Sequence, residues 1–169
     1  MTKSLPQKKN ILQLVYSGLG GTSAVAFSIV EGYKQSNKLN YVFYFLFGGV
    51  ESLLNSHKSS CKTLNTKYNF IKKNNFLSYN FLIINFLINK KFDVIISHDF
   101  PLLIYLFSKF INNTKLIFVH HTPDTTKNIK YWFMYLINSY IADETIVVSK
   151  RKRNCFFNKF NSFFLLKTK

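Results

Sequence analysis

Apolar positions along the chain follow two rhythms that alternate. Ile11 to Tyr16 is a short apolar run that closes on Ser17 and a glycine cluster, and Thr22 to Gln35 follows with Val25, Ile29 and Val30 at helical spacing. Tyr41 to Phe47 is then a continuous apolar and aromatic run closed by Gly48 and Gly49, the pattern of a strand buried on both faces. Strand, glycine turn, helix and strand make one βαβ unit. Residues 50 to 75 are polar and rich in Lys and Asn, with a weak strand signal near Tyr68 to Ile71 and no readable chemistry. The alternation then resumes: helix Phe76 to Asn89 with Lys90 and Lys91 at its end, strand Asp93 to Ser97, helix Pro101 to Ile111, strand Lys115 to His120, helix Ile129 to Ile141, strand Thr145 to Ser149. Strands alternating with helices predict an α/β fold, a Rossmann-like parallel sheet with helices on both faces. In such a sheet ligands bind outside the carboxyl ends of the strands, so functional residues are expected just after the strands.

Length and composition narrow this to one domain of 169 residues that folds: hydrophobic residues make up 47% and charged ones 18%, enough apolar surface to offset the entropy of ordering the chain. Residues 1–10 read as a basic, polar leader and 11–169 as the domain. The apolar stretch after the leader is broken by Ser17, Gly18, Gly20 and Gly21, which does not suit a signal peptide, and the apolar runs at 41–47, 81–88 and 100–107 are too short to span a bilayer. Cys61 and Cys155 form no CxxC and no disulfide framework. A reduced, cytoplasmic setting is expected.

Charge adds an ambiguous signal. The 23 Lys and Arg against 7 Asp and Glu give a formal charge of +16, which suits an anionic membrane surface, a phosphorylated ligand or nucleic acid. A coding bias that enriches Lys, Asn, Ile, Phe and Tyr together explains the same numbers. Nucleic acid is disfavoured, since no recognition helix, RNP-like aromatic strand or zinc spacing is present, and the Lys150 to Arg153 run is more often a solvated face.

Four segments carry candidate chemistry. GLGGTS, Gly18 to Ser23, sets small residues between a strand and a helix, where backbone can approach an anion. Its third glycine is missing for a dinucleotide fingerprint, and no Gly-Lys-Ser/Thr follows. SHDF at Ser97 to Phe100 and VHHTPD at Val119 to Asp124 put His98, Asp99, His120 and His121 at strand ends. A histidine pair with one carboxylate on a loop lacks a third anchored ligand, so no metal is expected. His120 fits either a core position or the crevice, and His121 lies nearer the crevice. ADETIVVSK, Ala142 to Lys150, is a helix end, an acidic pair and a strand closing on Ser149.

Taken in order, these segments resemble the amino-terminal domain of family 4 glycosyltransferases. ILQLVYSGLGGTSAVAFSIVEGY is similar to the family's first strand, double-glycine turn and helix. FDVIISHD resembles its D-V-I-H-x-H strand, KLIFVHHTPD its strand ending in histidine, and IADETIVVSK its A-D-x-x-I-x-V-S strand. The resemblance covers roughly residues 10 to 155. It implies one half of a two-domain GT-B enzyme that moves a sugar from a nucleotide sugar, usually with retention and without a metal, in the cleft between the domains. By the same resemblance Gly20 and Gly21 line the cleft, and His121 reaches the transferred sugar as the catalytic candidate. His98 and His120 join the glycines as substrate-binding candidates, and Asp99 and Ser149 shape the sheet edge. NSFFLLKTK resembles the strand before the family's P-N-G-V-D link, and no Glu-x7-Glu motif is present. The expectation is therefore an acceptor-side half whose donor domain is absent and which is inactive alone. It needs no cofactor of its own, with a nucleotide sugar as co-substrate once a donor domain completes it. Expected partners are a glycan or lipid-linked acceptor, a separately encoded donor domain and an anionic membrane at its inner face. The alternatives are a non-catalytic binding remnant and a basic, nucleic-acid-binding Rossmann-like domain.

Overall fold

A computed structural model of the chain describes residues 9–16, 21–35, 41–49, 54–72, 76–99, 106–107, 114–121 and 129–148. Six strands, β1 (Lys9–Tyr16), β2 (Tyr41–Gly49), β3 (Lys67–Lys72), β4 (Val94–His98), β5 (Lys115–His120) and β6 (Glu144–Val147), form one sheet in the order β3-β2-β1-β4-β5-β6. Every pairing in it is parallel. The helices are α1 (Gly21–Gln35), α2 (Leu54–Thr63), α3 (Phe76–Asn89) and α4 (Ile129–Ile141). This is the doubly wound, Rossmann-like arrangement, with the chain reversing its direction of travel across the sheet between β1 and β4.

Side chains alternate along each strand, so each strand feeds two cores. Ile11, Val15, Phe43, Phe45, Phe47, Ile96 and Val119 face α1 and α2, where Ala26, Val30, Cys61 and Leu64 close over them. Leu12, Leu14, Leu46, Ile95, Leu116 and Phe118 face α3 and α4, meeting Tyr79, Ile83, Leu87 and Tyr135. Helices thus lie on both faces, as the alternation predicted. Full burial of a side chain the size of Phe45, Phe47 or Phe118 stabilises by about 1.5–3 kcal/mol each.

Three details depart from the sequence pattern. The first strand begins at Lys9, so the end of the polar leader is drawn into the sheet opposite Tyr41. The polar stretch after β2 holds a helix that apolar spacing did not reveal, because α2 turns His57 and Cys61 to the core one helical turn apart and neither counts as a strong hydrophobe. His57 stacks on Phe47 with ring centroids 4.9 Å apart. The weak strand at Tyr68 to Ile71 is real but lies at the sheet edge, where its largely exposed side chains leave no clean alternation. Of the expected helix Pro101 to Ile111, Leu106 and Phe107 are helical, and the rest lies outside the described residues. No helix among the described residues is long and apolar enough to cross a membrane.

Candidate functional site

The carboxyl ends of β1, β4 and β5 gather the residues that the strand-end motifs singled out. Gly21 opens α1, His98 ends β4, His120 ends β5 and His121 follows it. Gly20, Phe100, Thr122 to Asp124, Ser149 and the Lys150 to Arg153 run lie outside the described residues.

One chain of hydrogen bonds crosses the switch point. The His98 Nε2 lies 2.8 Å from Gln13 Oε1, and its Nδ1 lies 2.8 Å from His121 Nε2. An amide oxygen only accepts, so with the Gln13 oxygen on the ring Nε2 of His98 must carry the proton. Its Nδ1 is then a lone pair, and His121 Nε2–H donates to it. Neutral His121 is left with Nδ1 as its basic nitrogen. His98 is fully buried, and burial, reinforced by the neighbouring His121 and opposed by Asp99, lowers its pKa to about 3. It therefore stays neutral at ordinary pH and fixes the tautomer of His121 rather than competing for protons.

Asp99 holds the second histidine and the backbone together. Its Oδ1 accepts from His120 Nδ1 at 2.9 Å, and its Oδ2 accepts from the His121 amide at 3.1 Å. To reach both, Asp99 adopts φ 52°, a left-handed conformation that short Asp and Asn side chains tolerate better than most. His120 is buried toward α4, edge-on to Tyr135 with ring centroids 4.0 Å apart. The two histidines thus point to opposite faces of the sheet, as neighbours on a strand must. One carboxylate ties both to the β4 end.

No family model matches the chain, and no curated protein matches it. His121 is half-buried at the crevice, whereas the rings of His98 and His120, expected to touch substrate, lie inside and can act on a ligand only through what they hold. Among the described residues no three His, Cys, Asp or Glu side chains gather as metal ligands, and both nitrogens of His98 are already engaged.

Gln13 was missed. Its signal is a lone amide inside the apolar run ILQLVY, where a buried polar side chain needs a partner. The family resemblance gives Asp99 an edge-shaping place, and its bridging of two histidines is not visible in sequence. Asp93 and Asp143 sit at the opposite edge. Asp93 accepts the Asn10 amide at 2.7 Å and Asp143 the Leu116 amide at 2.8 Å, capping the amino ends of β1 and β5.

Proposed function

We propose that this chain is the acceptor-side domain of a GT-B glycosyltransferase, similar to family 4, and that its crevice at the carboxyl ends of β1, β4 and β5 receives the acceptor and the sugar being transferred. One observation carries the reading: the strand-end residues His98, Asp99 and His121 meet at the switch point of a doubly wound sheet, where His121 is oriented by His98, Gln13 and Asp99. Such crevices are where open α/β sheets bind ligands. In this reading His121 meets the ligand, its Nδ1 accepting from a sugar hydroxyl or taking up a proton. His98, Gln13 and Asp99 are positioning residues, and His120 locks the end of β5. Gly21, with nothing within 4 Å of where a Cβ would stand, leaves room for a ligand to approach the backbone at the start of α1, and Gly20 keeps only the role that the resemblance implies. The nucleotide sugar belongs to a donor domain facing this edge. No metal or resident cofactor is invoked.

The reading extends to a cytoplasmic setting at the inner face of an anionic membrane, for which the +16 charge is the support. Saturation-transfer NMR of the purified chain with free oligosaccharides and soluble analogues of lipid-linked acceptors tests the assignment. An acceptor should bind, and His121→Ala should weaken it at least tenfold while circular dichroism stays unchanged. If no acceptor binds at millimolar concentration, or if His121→Ala binds as well as the parent, the proposal fails.

A further inference from the structure

At the other edge of the sheet, eight residues of β1 and about 25 Å away at roughly 3.3 Å per residue, the surface forms a second concavity. Asn10, Tyr44, Lys67, Lys90, Lys91 and Phe92 line a cleft of about 350 Å³, within the size range of small-molecule sites. None of these residues belongs to a motif segment's strand end, and the cleft shares no side chain with the His98 and His121 crevice.

Its chemistry is specific. Tyr44 and Phe92 meet edge to face, with centroids 5.5 Å apart, and the buried Phe92 stacks on Phe86. Lys67 Nζ stands 5.5 Å from the Tyr44 centroid, and Lys90 Nζ stands 5.8 Å from Tyr44 and 4.9 Å from Phe86. Two ammonium groups are thus held against aromatic faces, which reduces what they lose in side-chain freedom when a ligand arrives. The end of α3 explains positive charge at Lys90 and Lys91, since helix C-termini favour it. It does not explain Lys67, which arrives from the first position of β3. Among the described residues no carboxylate pairs with any of the three: Glu144 pairs with Lys115, and Asp99 bonds to His120. Asp93, next in sequence to Phe92, directs its carboxylate to the Asn10 amide. Three cations around one concavity repel one another, and an anion between them removes that repulsion.

We infer that this amino-edge cleft is a binding site for an organic phosphate, with the phosphoryl group between Lys67, Lys90 and Lys91 and its organic body against Tyr44 and Phe92. The inference is independent of the crevice at the opposite edge and of the function proposed for it.

Isothermal titration of the full chain should use three probes: adenosine diphosphate, inorganic pyrophosphate, and vesicles of phosphatidylcholine with or without phosphatidic acid. Saturable binding is expected for the nucleotide or for the phosphatidic acid vesicles, and whichever binds identifies the source of the phosphate. The Lys67→Gln/Lys90→Gln variant should weaken it at least tenfold. Tyr44→Leu should weaken the organic phosphate several-fold more than pyrophosphate. Lys58→Gln/Lys62→Gln, which removes the same charge from α2 on the other face of the sheet, should change it less than twofold. The inference is overturned if no probe binds at millimolar concentration, if only pyrophosphate binds, or if the α2 pair weakens binding as much as the cleft pair, since attraction would then be bulk charge. Thermal unfolding of each variant separates lost binding from lost fold.

Discussion

His98 and His121 share one hydrogen bond, 2.8 Å from Nδ1 to Nε2, in which His121 donates when the Gln13 amide oxygen accepts from the other nitrogen of His98. The reason lies one strand away, where Gln13 Oε1 accepts from the other nitrogen of His98 and leaves only a lone pair facing His121. A buried amide in β1 therefore decides which nitrogen of a crevice histidine is basic. The relay needs His98 to be neutral, and its burial against the sheet supplies that condition.

That condition makes stability depend on pH in a definite direction. The folded His98 has its pKa lowered from 6.5 to about 3, so between those values the unfolded chain binds a proton that the folded chain does not. Stability is complete above about 6.5 and falls as pH drops through the window toward 3. Buried His57, also lowered by desolvation, acts with the same sign. One such histidine makes the chain about 2 kcal/mol less stable near pH 5 than near pH 7.5, from roughly 1.4 kcal/mol per pH unit. Urea unfolding at the two pH values measures the difference, and His98→Gln should shrink it. An equal difference in parent and variant would refute the buried, neutral His98.

Asp99 gives a graded series. Asn tolerates the left-handed backbone and keeps an acceptor, Gly relaxes the backbone but loses both bonds, and Ala loses the bonds while keeping the strain. Stability should fall in the order Asp99→Asn, Asp99→Gly, Asp99→Ala. The lost hydrogen bonds to a charged group contribute about 1–3 kcal/mol, and the left-handed Ala adds about 1 kcal/mol over Gly. Chemical denaturation of the three variants checks the order. If Ala proves more stable than Gly, the positive φ is not being held by this carboxylate.

Most of the sheet was legible because buried parallel strands are nearly continuous apolar runs, as in Tyr41 to Phe47 and, around Gln13, Ile11 to Tyr16. α2 was not, because its buried face is made of His57 and Cys61, which hydrophobicity alone does not count. The strand-end rule brought His98 and His121 to one edge, since in an all-parallel sheet every strand ends there. What it could not provide was depth: His98 and His121 differ in burial although each closes a strand. Nor could it reveal the bond to Gln13, which joins positions 85 residues apart. The amino-edge cleft was equally invisible, because its lysines read locally as a helix end and a polar segment.

Gly48 is fixed by its neighbour. A Cβ there would collide with the Tyr79 hydroxyl, and Tyr79 is buried in the core beneath α3, with little room to withdraw. Gly48→Ala should destabilise by about 1–3 kcal/mol, the usual consequence of overpacking. Tyr79→Leu removes the obstructing ring, so the same substitution made in that background should cost much less. A double-mutant cycle by thermal or urea unfolding reads the coupling. Additive effects would show that the collision is not the cause.

The outer surface of α3 and α4 should make the isolated chain self-associate. Both helices cover the same face of the sheet, yet each also turns large apolar side chains away from it. On α3, Leu77, Phe81 and Ile88 recur at helical spacing and are 78%, 68% and 57% exposed; on α4, Ile129, Tyr131, Phe133 and Tyr140 are all more than half exposed. One sheet can bury only one stripe of each helix, and sequences as apolar as FLSYNFLIINFLIN and IKYWFMYLINSYI have more than one stripe to bury. Exposed apolar surface on this scale usually marks a contact site or an aggregation hazard. Repulsion from the +16 charge opposes association, but it is screened over about 10 Å at 0.1 M salt, whereas apolar burial is not weakened by such salt. Light scattering after size exclusion should therefore show species larger than a monomer, more so as salt rises. Phe81→Lys/Phe133→Lys should shift the chain toward monomer, and because both side chains are exposed each change should alter folding stability by no more than about 0.5 kcal/mol. A parent chain that remains monomeric at high concentration and high salt would show that these two helices need no cover.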